Sequence, residues 1–267
     1  RRIGVTESTG DVIELYHRLG ATYADALDDP EQAVQCFQTI LETDSREKRA
    51  LEALERVYFR RGAWAELFGI YEKMIDIAPG DEAVADCYAH MAKIASDALG
   101  DGDKAADLWG RVLDLGGEDP TALWELANLY QAAGQWRELC DVLERQVRIT
   151  MLPAEQVPVL KRLGAIYGEQ LGRDRNSLEA WQKVLDIDPG DLEALKAIAQ
   201  IHRHAQAWED LVETLHRLLE IGVTSMDDAE LREWYAQLGQ LQGEILMRPQ
   251  EAIDAWRRVL ELEARDF

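Results

Sequence analysis

The feature that most constrains this chain is that it repeats itself. Four segments align without gaps: YHRLGATYADAL from Tyr16, YAHMAKIASDAL from Tyr88, LKRLGAIYGEQL from Leu160 and YAQLGQLQGEIL from Tyr235. A second kind of segment lies between them, reading LEALERVYFRRGAW from Leu51, LWELANLYQAAGQW from Leu123 and LKAIAQIHRHAQAW from Leu195. The steps within each kind are 72 residues, except a last step of 75 between Leu160 and Tyr235. The chain therefore alternates two units of roughly 36 residues each, the period of a helical-hairpin repeat. A unit that short cannot bury an apolar face alone, so successive units must stack on one another.

Each unit carries two amphipathic stretches. Tyr16, Leu19, Gly20 and Tyr23 fall at i, i+3, i+4 and i+7, one face of a helix, and Ala33, Phe37 and Ile40 continue the pattern after a break at Asp28-Asp29-Pro30. Pro30 suits the first turn of a new helix. Asp44-Ser45, Pro79-Gly80-Asp81, Glu118-Asp119-Pro120 and Pro189-Gly190-Asp191 punctuate the other units. The odd-numbered units carry an extra residue between their helices. Only 7 of 267 residues are Pro, and helix-forming Ala, Leu, Glu and Gln are abundant. The pattern predicts an all-α chain of seven helical pairs and about fourteen helices, with no strand. The hairpins are expected near residues 11–44, 46–79, 81–116, 118–150, 154–188, 190–222 and 227–263, as one array over 1–267.

These residues resemble the tetratricopeptide pattern, W-x2-L-G-x2-Y, then A-x3-F, then P. Leu19-Gly20-x2-Tyr23 with Ala33-x3-Phe37 carries it most directly, and Leu163-Gly164-x2-Tyr167 is similar. Leu126-Ala127-x2-Tyr130 keeps a small residue, and Ala105-x3-Trp109 and Ala252-x3-Trp256 keep small-then-aromatic in the second helix. Pro79 and Pro189 stand at the closing proline. Glu55 replaces the small residue in the second unit, and His202 and Gln242 replace Tyr. The resemblance implies a right-handed α-solenoid of helix-turn-helix repeats whose first helices line a concave face. The small residue lets paired helices approach, and the aromatic fills the gap to the next pair.

The ends read as cut from a longer array. Ile3-Gly4-Val5-Thr6 recurs as Ile221-Gly222-Val223-Thr224, which ends the sixth hairpin. Asp266-Phe267 would open an eighth hairpin, and no polar capping helix follows.

The remaining chemistry is mostly exclusion. With 29 Lys and Arg against 51 Asp and Glu, the net charge is −22. A surface that acidic disfavours nucleic acid and anionic membrane surfaces. No run of eighteen apolar residues exists to span a membrane. Cys36, Cys87 and Cys140 have no metal-ligand spacing and read as buried free thiols, consistent with a reducing, cytoplasmic setting. His202 and His204, two apart on a helix, do not share a face. Asp101-Gly102-Asp103 lacks the later ligands of a calcium loop and reads as a helix start. No nucleophile or acid/base pair is evident, so no catalytic residue, metal or cofactor is expected. Trp64, Trp136 and Trp208 recur at one position, and Trp109, Trp181 and Trp256 at another; recurrence in every copy points to packing.

Function should instead sit where copies differ on the inward face. The register that the resemblance implies gives Arg49, Arg56, Phe59 and Arg60, then Lys93, then Trp124, Asn128 and Gln131, then Lys161, Lys196, Gln200 and Arg203, with Glu52 beside them. Trp124 has no aromatic counterpart: His17, Glu52, Ala89, Lys161, Lys196 and Ala236 hold its position elsewhere. An exposed Trp is a plausible interface anchor. The seven basic residues suit an acidic peptide or carboxylate, and a solvated mixed-charge face is the equal alternative. Asn128 stands where some family members grip a peptide carboxylate, but the matching Lys is Trp124 here, so that clamp is incomplete. The expectation is a non-enzymatic scaffold binding a protein or peptide partner, with end-to-end self-association as a further possibility. A sensor or regulatory domain controlling an effector elsewhere in a larger protein is the competing reading.

Overall fold

The computed structural model describes residues 9–264; the two end segments read above as cut lie outside them, apart from the Ile221–Thr224 copy. Among the described residues the chain is all-α, with no strand. The first unit of the structure holds α1 (Thr9–Ala21), α2 (Pro30–Thr43), α3 (Lys48–Arg61), α4 (Trp64–Ile77), α5 (Asp81–Lys93), α6 (Gly102–Gly116) and α7 (Pro120–Ala133). The second holds α8 (Trp136–Ile149), α9 (Pro153–Ala165), α10 (Asp174–Ile187), α11 (Leu192–His204), α12 (Trp208–Gly222), α13 (Asp228–Gln240) and α14 (Pro249–Glu263). The division between the two compact units falls between Gly134 and Gln135. Within each unit, consecutive helices pack on each other in order: α1 on α2, α2 on α3, and so on.

Local chemistry explains where the helices start. Asp29, Glu47, Asp101, Asp119, Asp191 and Asp227 each stand at an N-cap and accept a hydrogen bond from a backbone N–H three residues on. The distances run from 2.6 Å at Glu47–Ala50 to 3.1 Å at Asp29–Gln32. Such a cap satisfies one of the four orphan donors of a helix. Asp101, the start of the calcium-like triplet, is one of them, accepting from Lys104 N–H at 3.0 Å. Pro30, Pro120, Pro153 and Pro249 occupy first-turn positions, where the missing N–H costs nothing.

The first helices of the hairpins end in two different ways, and the difference accounts for the alternation. In α3, α7 and α11 the chain leaves through one left-handed residue: Gly62 (φ 64°), Gly134 (φ 68°) and Gln206 (φ 55°). In α1, α5, α9 and α13 the last turn widens into a π turn, at Thr22–Ala26, Ile94–Ala98, Ile166–Gln170 and Leu241–Ile245. Each π turn closes with an i→i−5 bond, such as Leu27 N–H to Thr22 C=O at 3.1 Å, then an i→i−6 bond such as Asp29 N–H to Tyr23 C=O at 2.9 Å. A left-handed residue sits between them: Asp28, Gly100, Gly172 or Met247. The extra residue that the sequence placed between the helices is therefore absorbed inside the first helix as a π turn. The longer last step has another cause, a hydrogen-bonded turn over Val223–Asp227 that lengthens the link between α12 and α13.

Packing follows the small-then-aromatic rule. A Cβ built on Gly20 would lie 2.7 Å from the Phe37 ring, one on Gly164 2.6 Å from Trp181, and one on Gly239 2.8 Å from Trp256. Each glycine lets the second helix of its hairpin seat an aromatic ring against backbone. Ala92, fully buried, holds the same position opposite Trp109. The outer side of that ring is covered where another hairpin follows: Trp109 is 2% exposed and Trp181 is similarly buried. Trp256, expected to be core, is 43% exposed, and Ile253 and Leu260 on the same helix are exposed with it. Its inner edge packs on Gly239 while no described hairpin lies over its outer edge. Trp64, Trp136 and Trp208 open α4, α8 and α12 and are half-buried.

Two outcomes test this account. Met247 is exposed and left-handed, a conformation that costs a non-glycine residue about 1–2 kcal/mol. Met247→Gly and Gln206→Gly are each expected to raise the unfolding free energy by roughly 0.5–1 kcal/mol in urea titration, the remainder being offset by glycine's looser unfolded state. Gly164→Val drives a branched side chain into Trp181 and should lower it by about 2 kcal/mol; an unchanged midpoint would mean the close approach is not required.

Candidate functional site

The predicted face is distributed over five first helices. Arg49, Arg56, Phe59 and Arg60 lie on α3, Lys93 ends α5, and Trp124, Asn128 and Gln131 lie on α7. Lys161 lies on α9, and Lys196, Gln200 and Arg203 on α11, in the second compact unit. The two units carry separate parts of the predicted set.

Most of the basic residues are engaged by carboxylates of a neighbouring hairpin. Arg49 on α3 reaches Glu14 on α1 at 3.1 Å, and Arg60 reaches Asp25 at 3.5 Å. Lys161 on α9 lies 2.6 Å from Asp191 and 2.7 Å from Glu193. Lys196 on α11 pairs with Glu230 on α13, and Arg203 donates to the Gln237 amide. Arg56 donates from Nε to the Glu52 carbonyl at 3.3 Å. Hydrogen bonds from Arg49 and Arg18 hold the Glu14 carboxyl below its ordinary value. Partial burial of Lys161 opposes its charge, but Asp191 and Glu193 outweigh it and raise the ammonium above the ordinary lysine value. That contribution to stability persists through the neutral range and is lost only as pH rises through the raised value.

The repeat explains this pairing. His17, Ala89 and Lys161 are equivalent positions, and Glu47, Asp119 and Asp191 are equivalent N-caps. His17 meets Glu47 at 2.9 Å as Lys161 meets Asp191, whereas Ala89 offers Asp119 nothing. The cations therefore join successive first helices. The large apolar side chains on this face are different: Trp124 is 60% exposed and Phe59 is 59% exposed. Phe59 meets Trp64 edge-on, with ring centroids 5.8 Å apart. Asn128 and Gln131 are exposed on the same helix as Trp124.

Departures from the repeat pattern come with partners. Gln242 replaces the Tyr seen at Tyr167, and His216 replaces Glu144. Tyr167 donates its hydroxyl to Glu144 at 2.7 Å, while the Gln242 amide nitrogen lies 3.5 Å from His216 and donates to Glu251 at 3.2 Å. The Gln242 side chain is 2% exposed and its Oε1 has no hydrogen-bond partner. His202 likewise replaces Tyr, and its Nδ1 lies 3.2 Å from the hydroxyl of Thr214, where other units have Val142 and Ile70. Buried polar atoms need such partners, so one polar replacement requires a second. Restoring the Tyr–Glu pair with Gln242→Tyr and His216→Glu together should stabilise more than the two single changes summed, by about 1 kcal/mol in a double-mutant cycle; strict additivity would remove the pairing argument.

Cavities divide by the same test. Cavities of 360, 260 and 450 Å³ are lined by equivalent residues: Tyr88, Leu108 and Arg111; Leu160, Ala180 and Lys183; Tyr235, Ala255 and Arg258. They are the groove that this hairpin geometry makes each time. A cavity of 380 Å³ between α3, α4 and α5 is lined by residues that differ between copies. Its wall contains Glu55, which accepts a hydrogen bond from the Tyr71 hydroxyl at 2.8 Å, and the His90 ring, stacked on Tyr71 with centroids 5.7 Å apart and planes 6° apart. Ala127 with Leu143, and Ala199 with Leu215, hold the positions of Glu55 and Tyr71 in the other two units. The sequence signal was present in Glu55, the one even-unit residue that breaks the small-residue rule, but its partner lies on another helix.

Among the described residues no group of three His, Cys, Asp or Glu is arranged to hold a metal, and no helix is long and apolar enough to cross a membrane. Cys36, Cys87 and Cys140 are buried free thiols. Burial pushes all three up, Cys140 to about 11, so they stay protonated and unreactive at neutral pH.

Comparison with known proteins agrees with this architecture. The tetratricopeptide repeat family matches at residues 13–47, 50–85 and 122–157. No curated protein sequence matches the chain. Solved structures similar to it include the C-terminal part of a TPR repeat-containing protein from Cytophaga hutchinsonii, 14% identical over 94% of this chain and 95% of that one, with a TM-score of 0.45. Another is YrrB, described as a TPR protein with an unusual peptide-binding site, 15% identical over 73% of this chain and 92% of that one, with a TM-score of 0.44. A third is the TPR2AB-domain–pHSP90 complex of yeast Sti1, 12% identical over 95% and 99%, with a TM-score of 0.41. With its helices in alternating pairs and the repeat family matched at three places, the chain contains tandem tetratricopeptide repeats, a fold that generally mediates protein–protein interaction.

Proposed function

We propose that this chain is a non-catalytic scaffold that grips a segment of another protein on the face formed by its first helices. One observation carries the reading: Trp124 stands 60% exposed on α7, at a position held elsewhere by alanine, glutamate, histidine or lysine. Leaving an indole in water forgoes its burial, and packing does not require it there, because Ala, Glu, His and Lys serve at that position in other units. Tryptophan is the side chain most enriched at sites that dominate binding energy. Phe59 on α3 is a second exposed ring in the same compact unit. The cations of this face are secondary in the proposal. Arg49, Arg60, Lys161 and Lys196 are held by the chain's own carboxylates. An acidic partner segment would have to displace those carboxylates, so charge would steer encounter more than fix affinity.

The test is capture of partners from native extract on the immobilised chain, with Trp124→Ala beside it. The side chain is exposed, so unfolding free energy should stay within about 0.5 kcal/mol of the parent. The captured protein, once identified and titrated, should bind the variant about thirtyfold more weakly, the loss expected of an anchor worth 2 kcal/mol. Equal binding by parent and variant would overturn the reading.

A further inference from the structure

We propose that the cavity between α3, α4 and α5 is a pocket for a single arginine side chain of the partner segment; the inference rests on the scaffold reading and adds the chemistry of what is bound. Repetition separates this pocket from the others. Cavities lined by equivalent residues in several copies arise from hairpin stacking, whereas here Glu55 and Tyr71 stand where two other units have alanine and leucine. Two side chains have changed together, opening a polar pocket that the repeat does not need.

The lining then selects the guest. Glu55 and Asp86 present carboxylates from α3 and α5, and neither is matched by a Lys or Arg among the ion pairs of the described residues. Lys48 also lines the pocket, but it is spent on Glu52 at 3.5 Å. Burial pushes the Cys87 thiol up, and Glu55 and Asp86 push it further, so the field of both carboxylates converges on the Cys87 side of the pocket. Met74 and Ile77 supply half-buried apolar walls, and the stacked rings of Tyr71 and His90 supply a flat one. A guanidinium meets each of these demands. It is always charged, its fork of N–H donors can serve two carboxylates, its plane stacks on aromatic faces, and its methylene stem covers apolar surface. At 380 Å³ the pocket lies near the small end of ligand sites, suited to one long side chain and too small for a helix.

The experiment titrates the whole chain, labelled with nitrogen-15, with the peptide acetyl-Ala-Ala-Arg-Ala-Ala-amide. A second titration replaces arginine by citrulline, which keeps the shape and removes the charge. Saturable amide shifts are expected at Met74, Ala83, Cys87 and His90, with at least a tenfold weaker response to the citrulline peptide. Glu55→Gln with Asp86→Asn should reduce the arginine response by a similar factor, the glutamine still accepting from the Tyr71 hydroxyl. Glu55→Ala with Tyr71→Leu rebuilds a pair already present at Ala127 and Leu143, so it is expected to fold, and it should abolish the response. Equal response to both peptides, shifts confined to other surfaces, or an unchanged response in the Ala/Leu variant would each overturn the pocket. The Trp124→Ala capture is read independently: loss of a partner there, with no arginine response here, leaves the scaffold standing and removes this pocket from it.

Discussion

The odd-numbered hairpins depend on one recurring contact, the seating of an aromatic ring in one helix against a glycine or alanine of the other. Gly20 with Phe37, Gly164 with Trp181 and Gly239 with Trp256 leave no room for a Cβ. That closeness sets the distance between paired helices, and the ring's far side becomes the surface on which the next pair lies. Burial of Trp109 and Trp181, against the exposed Trp256, shows the two halves of the contact separately. Stability in such a chain is a sum of neighbour terms, with no single core to defend it. The ion pairs between successive first helices add to the same neighbour terms from the solvent side.

Much of this was legible in the sequence, and the reasons can be named. The period, the helical class and the small-then-aromatic pairs are local features, and each appears several times, so chance is averaged out. The helix starts were legible because Asp and Pro at a first turn have a specific physical job. The π turns were not, because an extra residue between two helical patterns can sit in a linker or inside a helix. Only the hydrogen-bond geometry, such as Leu27 to Thr22, distinguishes them. Trp256 packs on Gly239 as its recurrence implies, but recurrence says nothing about how much of the ring's other side is covered.

The candidate site was legible in a different measure. Trp124 was found by asking which residue breaks the repeat, and the structure places it exposed. The same question flagged Glu55, His202 and Gln242, but their meaning lay in partners on other helices: Tyr71, Thr214 and His216. Compensation across helices is invisible to a reading that proceeds along the chain. The pairing of the basic residues is hidden for the same reason. Their register was apparent, but the carboxylates that hold them sit in a neighbouring hairpin, as Glu14 on α1 does from Arg49 on α3.

The two kinds of helix ending have a consequence for how a chain like this can grow or shrink. A first helix that ends in a π turn and one that ends in a single left-handed residue deliver the chain to its second helix differently, and they alternate among the seven described first helices. Duplicating or losing one hairpin would set two like endings in succession and mismatch an interface. Duplicating or losing a pair would leave every junction with the neighbours it already has. The module that can be inherited whole is therefore four helices long, twice the length of the motif by which the family is recognised.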